Sequence, residues 1–492
     1  MVPNVCRTRV RYRNKRPRKT RRAGVAVRYN AHSLRVPDGD RDCIAGKFRA
    51  IGIASRCSRF ISSREPVIVL SVSPSTRVRS PIIIRHLRKN TRMQLQEVRW
   101  RYYLYSLTET QGLIAPVWVL VLQARGLSYT DIGFLGALYW AVLVLAEIPT
   151  GYIGDRIGRR RSLFIAALVT AGGVGGLAFA RTLLSFALAL TAWAVGITFR
   201  SGTADAWLYS ALGRSGIADA YTHVRGRGRA VKLAATAITA AIGGVLYTKS
   251  LVAPFFLIAG LLAVNAAVVL SFPTVSDGQE HSRSESWRFS TTRQELTAAF
   301  ERPGIRGFVG YTVLLFGLVE VTRTFVQPIV VGDQVGLPVA AVGALYACFN
   351  IVAAGASALT SRIEQTLGVR RWFLLGPLLL AGSLVILPLV PAATVPAFVG
   401  MEAIWHVSQT FQSRIVNDRT RNRRRATVLS VVSMGGGVAA IAFRAVGGVL
   451  ADTVSPLLML ALLALVFVVG SGVLFTVTSG TVFRTTETDI SQ

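Results

Sequence analysis

Residues 146–161 read Ala146-Glu147-Ile148-Pro149-Thr150-Gly151-Tyr152-Ile153-Gly154-Asp155-Arg156-Ile157-Gly158-Arg159-Arg160-Arg161. The stretch 356–371 reads ASALTSRIEQTLGVRR. The two belong to a longer gapless correspondence in which residues 126–161 lie on 336–371. It keeps Gly126/Gly336, Leu127/Leu337, Gly133/Gly343, Gly158/Gly368, Arg160/Arg370 and Arg161/Arg371. Shared apolar composition would match a few positions by chance. It would not put glycines and a double arginine in register. The chain therefore carries an internal repeat, each copy an apolar stretch running into an arginine-rich loop.

Outward from this motif the same grammar continues. Of the 492 residues 51% are hydrophobic and only 16% charged, with mean hydropathy +0.46. A soluble domain carries about 25% charged residues. Twelve apolar stretches of bilayer-crossing length follow one another: 104–122, 132–148, 163–180, 183–199, 231–247, 251–272, 307–331, 339–359, 372–390, 395–415, 428–450 and 457–477. They are continuous rather than alternating, so they predict helices and not a barrel. The loops after spans 2, 4, 6, 8 and 10 are rich in arginine, whereas the odd loops hold Arg125, Arg181 and Lys249. Lys and Arg stay on the cytoplasmic side, so both termini are expected there. The organisation is an N-terminal six-helix half (93–272), a polar linker (273–304), a C-terminal six-helix half (305–480) and a tail (481–492). The second part of the linker, 291–301, has the spacing of an amphipathic surface helix. An all-α membrane protein built as a six-plus-six repeat points to a transporter with its solute site between the halves.

The first 92 residues read differently. They hold 24 Lys/Arg and 4 acids, net 24 − 4 = +20, of the chain's +32. A basic arm on nucleic acid or anionic lipid and a transit peptide are two readings. The reading adopted is a disordered extension outside the working protein, such as a start assigned too far upstream would produce. Met93 would then open the working unit, and no nucleic-acid partner is expected. Three of the four cysteines (Cys6, Cys43, Cys57) lie in this part and Cys348 lies in a span, so no disulfide framework is expected for the body.

The loop at 151–161 resembles the loop 2–3 signature of the major facilitator superfamily, G-x-x-x-D-R-x-G-R-[RK]. Residues 147–151 resemble the lead-in of that family's small-solute and drug exporters. The resemblance implies a twelve-helix transporter of the cell membrane working as a monomer by alternating access, with efflux as the expected direction. It implies a gate motif of Gly151, Asp155, Arg156, Gly158, Arg159 and Arg160, with Asp155 facing the start of span 11 near 425–427. The second copy has Gln365 for Asp155 and Val369 for Arg159, so the clamp is one-sided. One departure matters. The antiporter signature of span 5 keeps Gly243-Gly244 here but lacks the Gly-Pro that precedes them.

Ionisable residues at membrane depth are costly, so each is a functional candidate. These are Glu109 (span 1), Glu147 (inner end of span 2), Arg200 and Asp205 (span 4), Glu320 and Arg323 (span 7), Glu402 and His406 (span 10) and Arg444 (span 11). Glu320 and Arg323 share a helix face, as do Glu402 and His406. Arg323 is expected to hold Glu320 ionised. Glu402, with only a histidine on its own helix, is the expected proton-linked site. Asp205 is a candidate partner for Arg159, and Tyr139, Trp140, Trp405 and Asn350 could line the cavity. There is no Walker loop, no metal-ligand spacing and no hydrolase arrangement, so the chain is read as a non-enzyme without cofactor or metal. Its partners are a small solute, a proton or other coupling ion, and the bilayer. An uncoupled facilitator or importer, and a transporter-like sensor, are the alternatives.

Overall fold

The computed structural model describes residues 56–60, 67–71, 81–214, 217–274, 303–419 and 425–477, in two compact units, 1–86 and 87–492. The expected linker helix at 291–301 and the tail lie outside the described residues. In the first unit β1 (Arg56–Phe60) pairs antiparallel with β2 (Val67–Ser71), Arg56 opposite Ser71. The β-branched run Val67-Ile68-Val69 favours that conformation. The first long helix begins at Pro81, upstream of Met93. Both findings put regular structure where the sequence suggested none.

The second unit is helical throughout its described residues. Spans 2 to 7 are Tyr129–Ile157, Arg159–Phe179, Leu183–Arg200 with its continuation Thr203–Arg214, Tyr221–Lys249, Ala253–Leu270 and Pro303–Val331. Spans 8 and 9 form one run, Val339–Ile386, broken at Gly368. Spans 10, 11 and 12 are Thr394–Arg419, Arg425–Thr453 and Pro456–Val477. Nine helices among the described residues are long and apolar enough to cross a bilayer, with spans 8 and 9 counted as one. They carry bare apolar side chains such as Leu145, Leu184, Leu379 and Val469. Lipid tails tolerate such a surface and water does not.

The repeat reappears in the backbone. Gly158 ends span 2 at φ 86° and Gly368 breaks the 8–9 run at φ 73°. Gly126 and Gly336, at φ 82° and 66°, close the turns before spans 2 and 8. Left-handed conformations of this kind favour glycine, which explains why these four positions stayed in register.

Span 1 departs from the single helix expected. Its first part ends at Thr108 and a seven-residue helix follows at Trp118–Ala124, with turns between them. Pro116 lacks an N–H for the ladder. Gly112 lies so close to span 5 that a Cβ there would stand 2.1 Å from Thr239 Oγ1. Gln327 of span 7 replaces the lost ladder. Its Oε1 accepts from the N–H of Val119 (2.9 Å) and Leu120 (3.4 Å), and its Nε2 donates to the Ala115 carbonyl (2.7 Å) and the Tyr346 hydroxyl (3.2 Å).

Candidate functional site

Between the two halves lies a cavity of about 410 Å³, walled by residues of spans 1, 2, 4 and 5 on one side and 7, 8, 10 and 11 on the other. That size suits a small organic solute. Its C-terminal wall carries one continuous ionic network. Arg444 Nη2 meets Glu320 Oε2 at 2.8 Å, and Glu320 Oε1 meets Arg323 Nη1 at 3.1 Å. Arg323 then reaches from span 7 to span 10 and takes both oxygens of Glu402, at 2.9 and 2.6 Å. His406 Nε2 stands 3.6 Å from Glu402 Oε2, at the margin of contact. Glu320, Glu402 and Arg444 are only 6–8% exposed. Buried charges persist when they are paired and hydrogen-bonded, and two guanidiniums against two carboxylates meet that condition.

This geometry changes the expected division of labour. Glu402 has no fixed cation on its own helix, only His406. Arg323 supplies one from the neighbouring span, in the bidentate form that gives the strongest such bond. The two pairs expected to act separately are thus one unit. Arg444 also ties it to the other half by donating to the Gly136 carbonyl of span 2 at 3.2 Å.

A second cluster lies in the N-terminal half. Glu109 Oε1 receives Arg200 Nη1 at 2.9 Å and Lys232 Nζ at 2.7 Å. Lys232 escaped the sequence reading because it stands near the arginine-rich end of span 5, where it reads as loop charge. Counted from the charge-poor end, Lys232 lies roughly 26 Å down its helix and Arg323 roughly 12 Å down its own, at 1.5 Å per residue. The two clusters therefore sit at different depths. Thr236 and Gln111, which line the cavity, border the deeper one.

The gate-motif residues sit around the arginine-rich end of spans 2 and 3. Arg159 donates to the Ala206 carbonyl (2.9 Å) and to Ser210, fastening span 3 to span 4. Asp205, on that same helix, is held by Arg225 through bonds of 2.9 and 2.7 Å. Arg160 donates to the Leu270 carbonyl of span 6. Arg156 lies over the Tyr152 ring at 4.3 Å. Glu147 accepts from Ser201 Oγ at 3.2 Å. Gly151 and Asp155 are exposed. The side chains of 425–427, the expected partners of Asp155, lie outside the described residues.

At the opposite, charge-poor end the halves are in close contact. A Cβ on Gly343 (span 8) would stand 2.4 Å from the Ala240 carbonyl (span 5), and one on Gly448 (span 11) 2.6 Å from that of Tyr129 (span 2). Asp452, at the end of span 11, caps the start of span 2 by accepting from the N–H of Tyr129 (3.0 Å) and Thr130 (2.7 Å). Small residues permit such approach in a membrane, where packing rather than water drives association.

Of the four expected lining residues, Tyr139 and Asn350 face the cavity. Trp140 and Trp405 instead flank Phe316 edge-on, with centroids 5.2 and 5.4 Å away. Arg444 and Arg323 each lie 5.8 Å from one of these indoles, within cation–π range. Trp118, Trp193, Tyr346 and Phe349 also line the cavity and were missed, since aromatics at helical spacing usually read as core.

This architecture can be compared with known proteins. The sequence profile of the Major Facilitator Superfamily matches residues 110–413. The chain belongs to the major facilitator superfamily. That superfamily consists of multi-pass membrane transporters of solutes. An uncharacterized MFS-type transporter, YxaM of Bacillus subtilis (strain 168), is 20% identical over 257 residues, which is 52% of this chain and 63% of that protein. The chain thus matches slightly less than two thirds of that relative. The fold is similar to the nucleoside transporter NupG (TM-score 0.64, 14% identity, 80% of this chain, 100% of the other). It is also similar to a bacterial homolog of the human lysosomal transporter Spinster in an inward-facing and occupied conformation (TM-score 0.60, 13% identity, 79% and 96%). At these identities the likeness concerns the fold alone.

Proposed function

We propose that this superfamily member is a proton-coupled transporter of a small solute, acting as a monomer in the cell membrane with its arginine-rich end in the cytoplasm. In that orientation the close-packed end faces outward and the cavity belongs to an inward-facing state. The observation that carries coupling is the Arg323–Glu402–His406 contact in the cavity wall. Histidine changes charge near neutral pH. A proton on His406 gives Glu402 a second cation, weakens the hold of Arg323, and loosens the chain that runs through Glu320 and Arg444 to span 2. Alternating access then follows from rocking one half against the other. Net export is our assignment for direction, on the lead-in at Glu147. The extension 1–92 is outside this unit of function.

Flux in proteoliposomes with and without an imposed pH step tests the reading. Wild type should respond to the step, and Glu402→Gln should transport without responding. Flux that ignores the step in wild type would favour a facilitator. Binding without flux would favour a sensor.

A further inference from the structure

The charges of the cavity wall and of the deeper cluster that Gln111 and Thr236 join to it do not balance evenly. The C-terminal wall has two guanidiniums, Arg323 and Arg444, against two carboxylates, Glu320 and Glu402. The N-terminal cluster has two cations on one carboxylate. Arg200 and Lys232 share the same oxygen of Glu109. Among the described residues no other carboxylate is within ion-pair distance of either. Asp205 is engaged by Arg225, and Glu147 is hydrogen-bonded to Ser201. One positive charge is left over, and Lys232, its side chain 42% exposed, is the cation able to present it. Arg229, three residues earlier on the same helix face, lies within electrostatic range of His406 and adds to the positive field.

The hydrogen-bonding inventory leans the same way. In the cavity wall the indole N–H of Trp193 and the amide N–H of Gln111 are buried without an acceptor among the described residues. Buried donors of this kind are ordinarily satisfied, and an indole can only donate. The acidic oxygens of the wall are meanwhile occupied by arginines. What the site offers is spare positive charge, spare donors and aromatic faces.

We infer that the solute is a small organic anion with a ring or other apolar body. This rests on the transport reading for the role of the cavity. The acid group docks at Lys232, one turn from the cavity-lining Thr236, and the body extends toward Tyr139 and Trp193. A neutral or cationic solute would gain nothing from this spare cation, and a cationic one would be repelled by it.

The test is binding to the purified full chain in detergent, by isothermal titration, with three matched sets: phenylacetate, indole-3-acetate and naphthalene-1-acetate, each beside its neutral amide and its amine. At least one acid should bind about tenfold or more tightly than its amide, the discrimination expected from one charge-assisted hydrogen bond. Lys232→Met should abolish that preference, Lys232→Arg should keep it, and Trp193→Phe should weaken acid binding while the ring surface remains. An amide or amine binding as tightly as the best acid would overturn the inference. So would the failure of every acid to bind, or an acid preference that survives Lys232→Met. Binding needs no gradient and no flux. An acid that binds but never crosses a liposome would sink the transport reading alone, while flux of a solute without acid preference would sink only this one.

Discussion

Gly343→Ala should open the charge-poor end. The added methyl carbon would stand 2.4 Å from the Ala240 carbonyl and 2.9 Å from that of Ala241, both backbone atoms of span 5. No rotamer change can relieve a clash with backbone, so spans 5 and 8 must separate by most of an ångström. Overpacking of this kind costs about 1–3 kcal/mol. The cost falls on the state in which the two spans touch and vanishes where they part. The equilibrium should therefore move by roughly 5- to 150-fold toward opening at that end. The assay is double electron–electron resonance between spin labels at Thr248 and Gln334, both exposed near that end, in a background with all four cysteines replaced. Gly355→Ala, on the same span with open space around it, is the control. A longer distance population should grow in Gly343→Ala and not in Gly355→Ala. An unchanged distribution in a Gly343→Ala protein of wild-type thermal stability would refute the claim that this contact holds the end shut.

Other outcomes follow from the same geometry. Asp452→Ala removes the cap on span 2, worth about 1 kcal/mol, and should raise cysteine accessibility at Thr130 without loss of fold. Gln327→Leu leaves the N–H groups of Val119 and Leu120 without their acceptor, a cost of about 1–3 kcal/mol, to be read as a lowered melting temperature in detergent. Arg323→Lys keeps the charge but loses the fork that grips both oxygens of Glu402, so transport should fall and its pH response flatten more than in Lys232→Arg. A chain beginning at Met93 should insert and transport like the full chain, and loss of either would return the extension to the working protein.

The fold was legible because its signals are repeated. Apolar length, arginine alternation and the register of Gly126, Gly133 and Gly158 with their partners each give the same twelve-span answer. The glycines even mark the left-handed turns and one of the close contacts. The break in span 1 was hidden, since hydropathy averages over Gly112 and Pro116 and cannot see a glutamine from span 7 taking over the ladder. The site was half legible. Intramembrane charge picked out Glu109, Glu320, Arg323, Glu402 and Arg444, and helical spacing the Glu320–Arg323 pair, but not the pairs that join different helices. Helical spacing reveals partners on one helix, so Glu402 was matched to His406, and the stronger bond from Arg323 was invisible. Lys232 and Arg225 were lost for another reason. Near the end of a span, a cation that faces inward looks the same in sequence as one that orients the chain.

The measurement closest to the central claim is counterflow in proteoliposomes of whichever acid binds tightest in the matched sets, run at symmetric pH and then under a pH step. Wild type should accelerate under the step, while Glu402→Gln should show counterflow at symmetric pH and no acceleration. A wild type indifferent to the step, or a Glu402→Gln variant that accelerates as wild type does, would contradict the assignment of proton coupling to the Arg323–Glu402–His406 contact.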